Sequence, residues 1–135
     1  MIDKDTITHR HWSLEVGRAD PETGIAPPTY GDIVVAVDDL SQSITNLVLT
    51  PKGSVPTEPL KGVDMLGAID RHPDIGIPYL TRDIWDAIRI WEPRVIVRKV
   101  DVLTVAFSHF ACRVFWQPVQ SVIDDIQMTE VVYNG

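Results

Sequence analysis

Apolar residues recur along this chain with two different periods, and the changes of period divide it into elements. In "THRHWSLEVG" Trp12, Leu14 and Val16 alternate with Ser13 and Glu15, the two-residue period of a strand. The stretch "DPETGIAPPTYGD" loses periodicity and gathers proline and glycine, as a turn or an extended arm does. Next comes "DIVVAV", a short apolar run whose type periodicity leaves open. Leu40, Ile44, Leu47 and Val48 then fall at i, i+4, i+7 and i+8 and predict one face of a helix. Asp39, three residues before Gln42, has the spacing of a capping box with Asp39 at the N-cap. Pro51 and Gly53 are expected to stop this helix.

"VPTEPLKG" reads as a loop, and "VDMLGAIDRH" as a short helix carrying Met65, Leu66 and Ile69. The strongest pattern follows. Pro78 suits a first helical turn. Leu80, Ile84, Ala87, Ile88 and Trp91 make one apolar stripe, with Arg82, Asp86 and Arg89 opposite. Pro93 disfavours helical geometry at Glu92, so the helix is expected to end near Trp91. Beyond it "RVIVRKVDV" is β-branched, with Ile96, Val100 and Val102 assigned to one face and Val95 and Val97 to the other. "LTVAF", "CRVFWQPV" and "IQMTEVVY" read as further strands, with breaks at "SHFA" and "QSVIDD".

That order predicts an α+β fold, in which two main helices and a short one pack on one face of a mainly antiparallel β-sheet. At 135 residues a single domain is expected. An N-terminal strand and Pro/Gly-rich arm would occupy 1–37, and an α+β core with C-terminal strands 38–135.

Charge narrows the function classes. Twelve basic residues face 19 acidic ones, for a net charge of -7, which argues against nucleic acid as a partner because that needs a dense basic footprint. Cys112 is the single cysteine, so no intrachain disulfide can form and a reducing compartment is favoured. "MIDKDTITHRHW" lacks the apolar region of a signal peptide, and no apolar run approaches the ~20 residues of a membrane span. The expectation is a soluble chain made in a cytoplasm, with no membrane partner. Four tryptophans suit a core or an interface.

The usual catalytic and cofactor signatures are missing: no G-x-G-x-x-G, P-loop, H-E-x-x-H, G-x-S-x-G or C-x-x-C occurs. His9 and His11 share a strand face and could begin a metal site, but no third ligand accompanies them. His72 and His109 read as surface or capping residues, His109 within a turn. Glu92 with Asp86 or Asp83 could be cast as a glycosidase-like acid/base pair, yet six residues between Asp86 and Glu92 set them on different sides of a helix. Cys112 alternates with Val114 and Trp116 as an inward strand position, a buried structural thiol. No catalytic, cofactor-binding or metal-ligating residue is assigned.

"WEPR", Trp91 to Arg94, puts a carboxylate at the negative pole of the predicted helix, which is unfavourable by a few tenths of a kcal/mol unless a cation compensates. Arg94 is near enough to do so. Two readings stand level on physical grounds: a local Glu92–Arg94 pair that fixes a tight corner stiffened by Pro93, or a rigid corner presenting a carboxylate and a guanidinium fork to another chain.

"DDLSQSITNLVLTPKGSVPTEPLKGVDML" followed by "IPYLTRDIWDAIRIWEPRVIVRKVDV" resembles the baseplate wedge family of contractile phage tails, which shares the W-protein/lysozyme-like wedge fold and has relatives in type VI secretion and phage-tail-like particles. A capped helix ending in T-P-x-G-S, a proline-bearing loop before a short helix, and a second helix closing on W-E-P-R before a β-branched strand carry the likeness, over Asp38 to Asp101. The stretch "EPLKGVD" departs from the aromatic-glycine pair usual there, because Lys61 separates Leu60 from Gly62. The resemblance implies a structural, non-enzymatic virion protein without a cofactor, assembled in the host cytoplasm into the tail baseplate. Its partners would be other baseplate wedge proteins, met through Glu92, Pro93 and Arg94, and the tail sheath protein, whose assembly its sheet would seed by β-augmentation. The tail tube or spike hub would lie nearby, and six copies would surround the tail. A small peptidoglycan hydrolase and a type VI secretion baseplate subunit are the alternatives.

Overall fold

A computed structural model of the chain describes residues 12–17, 23–25, 32–106, 109–119 and 126–134. Its elements are β1 (Trp12–Leu14), β2 (Ile33–Val35), α1 (Ala36–Leu49), α2 (Met65–Ile69), α3 (Pro73–Trp91), β3 (Val95–Ala106), β4 (His109–Pro118) and β5 (Gln127–Asn134). Antiparallel β1–β2 and antiparallel β3–β4–β5 form two sheets, so the fold is α+β as the periodicities predict. The chain divides into two compact units, Met1–Gln42 and Ser43–Gly135, and the division falls within α1. His9, His11, most of the Pro/Gly-rich arm and the break around "QSVIDD" lie outside the described residues.

In the first unit "DIVVAV" resolves into both types of structure. Ile33–Val35 pair with β1, and Ala36 starts α1 with no turn between. Because the helix begins at Ala36, four residues before the Leu40 start that an Asp39 N-cap implies, Asp39 is not its N-cap and there is no capping box. Asp39 and Gln42 lie one turn apart on one face and reach β1 instead. Ser13 Oγ donates to Asp39 Oδ1 at 2.5 Å. The Gln42 amide donates to Ser13 Oγ at 3.0 Å and to the Leu14 carbonyl at 2.9 Å, and accepts from the Val16 N–H at 2.9 Å.

In the second unit α3 packs against β3, and α2 against α3. Helix α3 starts at Pro73 behind His72, whose ring accepts from the Asp74 N–H at 3.4 Å. Pro78 is therefore inside the helix, not in its first turn. There it removes one donor to the Asp74 carbonyl, tolerable on an exposed side where water can replace it. The predicted stripe is buried at Leu80, Ile84, Ala87 and Ile88. Trp91 at its end is half-buried, with the Lys61 ammonium 5.7 Å from its ring centroid. Lys61 thus packs the loop at the departure noted above. Gly62 beside it has φ +111°, and a Cβ there would strike the Thr50 carbonyl oxygen, so only glycine fits.

The sheet corrects two face assignments. "LTVAF" continues β3 as one 12-residue strand, and His109 opens β4 where a turn was expected. Val97 pairs with Trp116 but Lys99 with Phe115, so Arg98 is an extra residue that switches the alternation. Val95, Val100 and Val102 consequently share the buried face, while Ile96 is 41% exposed. Facing them from β4 are Cys112, Val114 and Trp116, each fully buried, and from β5 Val131 and Thr129. The buried Trp116 indole donates to Thr129 Oγ1 at 2.8 Å, which satisfies the one polar group such a ring brings inside.

Candidate functional site: the Glu-Pro-Arg corner

Glu92 closes α3 with φ -126° and ψ 75°, the extended geometry that a following proline imposes. Its N–H still completes the helix by donating to the Ile88 carbonyl at 2.9 Å, and the Arg94 carbonyl accepts from the Val119 N–H at 3.0 Å just past β4. Three residues, Glu92, Pro93 and Arg94, thus turn the chain from helix to strand.

The side chain of Glu92 points inward, and the residue is 4% exposed. Arg94 Nε donates to Oε1 at 2.6 Å and Nη2 to Oε2 at 2.8 Å, the two-point fork that gives charge-assisted bonds their strength and direction. Ser43 of α1 also donates its hydroxyl to Oε2. Burial is the largest influence on this carboxyl and by itself pushes its pKa up. The hydrogen bonds from Arg94 and Ser43 and the Arg94 charge together outweigh it and hold the group below the usual glutamate range. Glu92 is therefore ionised at neutral pH. Outside, Pro93 is exposed and the Arg94 side chain is about one third exposed.

The structure brings Glu92, Arg94 and Ser43 together and sends the other carboxylates elsewhere. Asp83 accepts from Lys52 Nζ at 2.9 Å and from the Asp64 N–H at 2.7 Å, and Asp86 pairs with Arg82 and Arg89. Cys112 is fully buried, and burial pushes its thiol up to about 11. Among the described residues, no three or more His, Cys, Asp or Glu side chains group so as to hold a metal ion, and no helix is long and apolar enough to cross a membrane.

Ser43 escaped the sequence reading. Its signal was a small hydroxyl at the edge of an apolar stripe, between Leu40 and Ile44, but nothing local names its partner 49 residues away. The brace around Asp64 was equally hidden. Asp64 caps α2 through the Gly67 N–H at 3.0 Å and accepts from the Tyr79 hydroxyl at 3.2 Å.

No family model matches the chain, and no curated protein matches it significantly in sequence. Solved structures do share its fold. A candidate tail lysozyme from Geobacter sulfurreducens superposes with a TM-score of 0.59 at 16% identity, over 75% of this chain and 94% of that one. A chain of the type VI secretion system baseplate complex gives 0.51 at 18% identity, over 72% and 88%. A chain of the anti-feeding prophage baseplate gives 0.52 at 19% identity, over 92% and 85%. At these identities the likeness is one of fold.

Proposed function

We propose that this chain is a structural subunit of the baseplate of a contractile tail or related injection apparatus, and not an enzyme. The observation that supports it most is the fold shared, across most of both chains, with baseplate chains of the type VI secretion system and the anti-feeding prophage. In this reading the corner is the contact with other wedge proteins. Glu92, buried and bonded twice to Arg94, aims the guanidinium, while Pro93 and the open part of Arg94 meet the partner. The sheet would seed the tail sheath along β5, whose eight residues pair with β4 in unbroken register, whereas β3 carries two register shifts that blunt an edge. Six copies, close to tube or spike hub, follow from the family resemblance.

The test is co-assembly with the wedge and sheath proteins encoded beside it, followed by electron microscopy. Wild type is expected to enter the particle and Arg94→Ala to stay out while keeping its far-ultraviolet circular dichroism. Entry of the variant would overturn the role of the corner, and exclusion of the wild type would overturn the baseplate reading itself.

The tail-lysozyme neighbour favours a second reading, glycan hydrolysis with Glu92 as the acid. A general acid must hold its proton near the working pH, usually by burial without a compensating cation. Arg94 and Ser43 do the opposite to Glu92. Peptidoglycan suspensions are expected to stay turbid with wild type; clearing abolished by Glu92→Gln would reinstate the enzyme.

A further inference from the structure

Consecutive residues of a strand normally point to opposite faces. The bulge in β3 suspends that rule and sets two cations side by side. Val97 lies opposite the buried Trp116, and Lys99 opposite Phe115 on the outer face. Arg98, the extra residue between them, is exposed and bonds the side chain of Gln117, which follows Trp116 and so belongs to the outer face. Arg98 and Lys99 therefore share that face, as an inserted residue allows and regular alternation does not.

Arg98 also stands apart in its charge pairing. Ser43–Gly135 contains nine basic residues, and among the described residues all but Arg71 and Arg98 form an ion pair with a carboxylate. Arg71 lies over the Tyr79 ring at 4.4 Å and has Asp70 next to it in the chain. Arg98 has Lys99 next to it instead. Its Nε and Nη2 both donate to Gln117 Oε1, at 3.3 and 3.0 Å. A neutral amide thus fixes the guanidinium by its side edge without cancelling its charge. The end edge, Nη1 and the second proton of Nη2, meets no acceptor among the described residues, and two such parallel donors match the two oxygens of a carboxylate. The Lys99 ammonium, shared with Asp101 at 3.0 Å, adds to the positive field.

The neighbours select among anions. Ile96, directly opposite Gln117, is 41% exposed, and Met128, opposite Phe115, is 51% exposed. An occupant of this face therefore meets apolar side chains beside the cations, as an amphipathic protein segment does. A polyanion such as nucleic acid is repelled by the net charge of -7. One carboxylate in an otherwise neutral segment answers mainly to charges within a screening length of about 8–10 Å.

We propose that the outer face of β3 at Arg98 is a docking site for an extended, largely apolar segment of another protein whose aspartate or glutamate takes the end edge of the guanidinium. Arg98 reads the carboxylate and Gln117 positions it. The site lies on the sheet, not at the Glu-Pro-Arg corner, and does not depend on the baseplate reading.

Titrations of the full chain, followed at the Arg98 Nε–H resonance, test it with three probes: a valine–threonine peptide with a central glutamate, the same peptide with glutamine there, and inorganic phosphate. The glutamate peptide is expected to bind, to move that resonance, and to bind about fivefold or more tightly than the glutamine peptide. Arg98→Gln should abolish the preference, and Arg98→Glu should transfer it to a lysine peptide. Both variants should keep the unfolding midpoint of wild type, because the side chain is exposed. No binding by the glutamate peptide, equal binding of the two peptides by wild type, or a preference surviving in Arg98→Gln would overturn the proposal. Phosphate bound as tightly as the glutamate peptide would overturn it by showing a site for any small anion. Self-association of wild type in sedimentation, lost in Arg98→Gln, would overturn it by making a second copy the occupant.

Discussion

The strand pair β1–β2 and the sheet β3–β4–β5 are both antiparallel and both alternate, yet they turn opposite rows inward. In the larger sheet the apolar row of Val114, Trp116 and Val131 is buried. In the strand pair it is the polar Ser13 that faces inward and meets a buried aspartate, while Trp12 stands in solvent. Alternation identifies a strand, but the side that faces the core depends on what the other element offers. Apolar α3 draws valines; the Asp39–Gln42 face of α1 draws a serine and a strand backbone.

Replacing the same residue type in each sheet should expose that contrast most strongly. Trp116→Ala removes a fully buried ring and the donor to Thr129, and is expected to cost about 3–5 kcal/mol. Trp12→Ala should stay within about 0.5 kcal/mol, as for a surface substitution away from special features. Urea unfolding of both variants measures the difference. Comparable losses would mean that the first sheet hides its tryptophan after all.

How much of this was legible follows the same division. The long helices, their stripes and the inward Cys112–Val114–Trp116 row were readable because periodicity reports burial directly when one face is apolar. The Arg98 bulge was not: an inserted residue leaves the β-branched composition of β3 unchanged and shifts only its phase. The start of α1 was missed because capping chemistry at Asp39 and Gln42 looks the same locally whether those side chains bond their own helix or a strand 26 residues away. At the corner, Glu92 and Arg94 could be named from the sequence. Its third member, Ser43, comes from a distant helix and could not.

The two carboxylates buried among the described residues sharpen the comparison next. Asp39 and Glu92 each receive a serine hydroxyl, and Glu92 adds the bidentate guanidinium. Glu92→Ala leaves Arg94 without that carboxylate. Breaking a buried pair costs more when both members are sealed from water; with Arg94 about one third exposed, a loss of about 2 kcal/mol is expected. Thermal or urea unfolding would show it, and a neutral result would mean the pair merely breaks even with solvent.

Part of that stability should also be removable by acid. The folded-state pKa of Glu92 lies below its ordinary value of 4.5. The unfolded chain therefore binds this proton first, and stability falls as pH drops. The contribution is fully present above pH 4.5 and is lost as pH falls through the lowered folded value. Glu92→Gln should have a flatter acid limb than wild type when unfolding free energies are measured at stepped pH. Parallel limbs would show that other carboxylates set the acid response.

The smallest effect belongs to Gln42, whose amide does for the outer edge of β1 what a neighbouring strand would do. Gln42→Ala removes the acceptor of the Val16 N–H and the donor to the Leu14 carbonyl. Water can replace both at this exposed edge, so the expected cost is at most about 1 kcal/mol. The informative readout is local amide exchange. Gln42→Glu keeps an oxygen for the Val16 N–H but has no donor for Leu14 or for Ser13. If Gln42 acts as a surrogate strand, Val16 exchanges fast in Gln42→Ala and stays slow in Gln42→Glu, while both variants loosen the Leu14 side. Slow exchange in both would mean that pairing with β2, through the Glu15 N–H and the Asp32 carbonyl at 2.9 Å, holds the strand by itself.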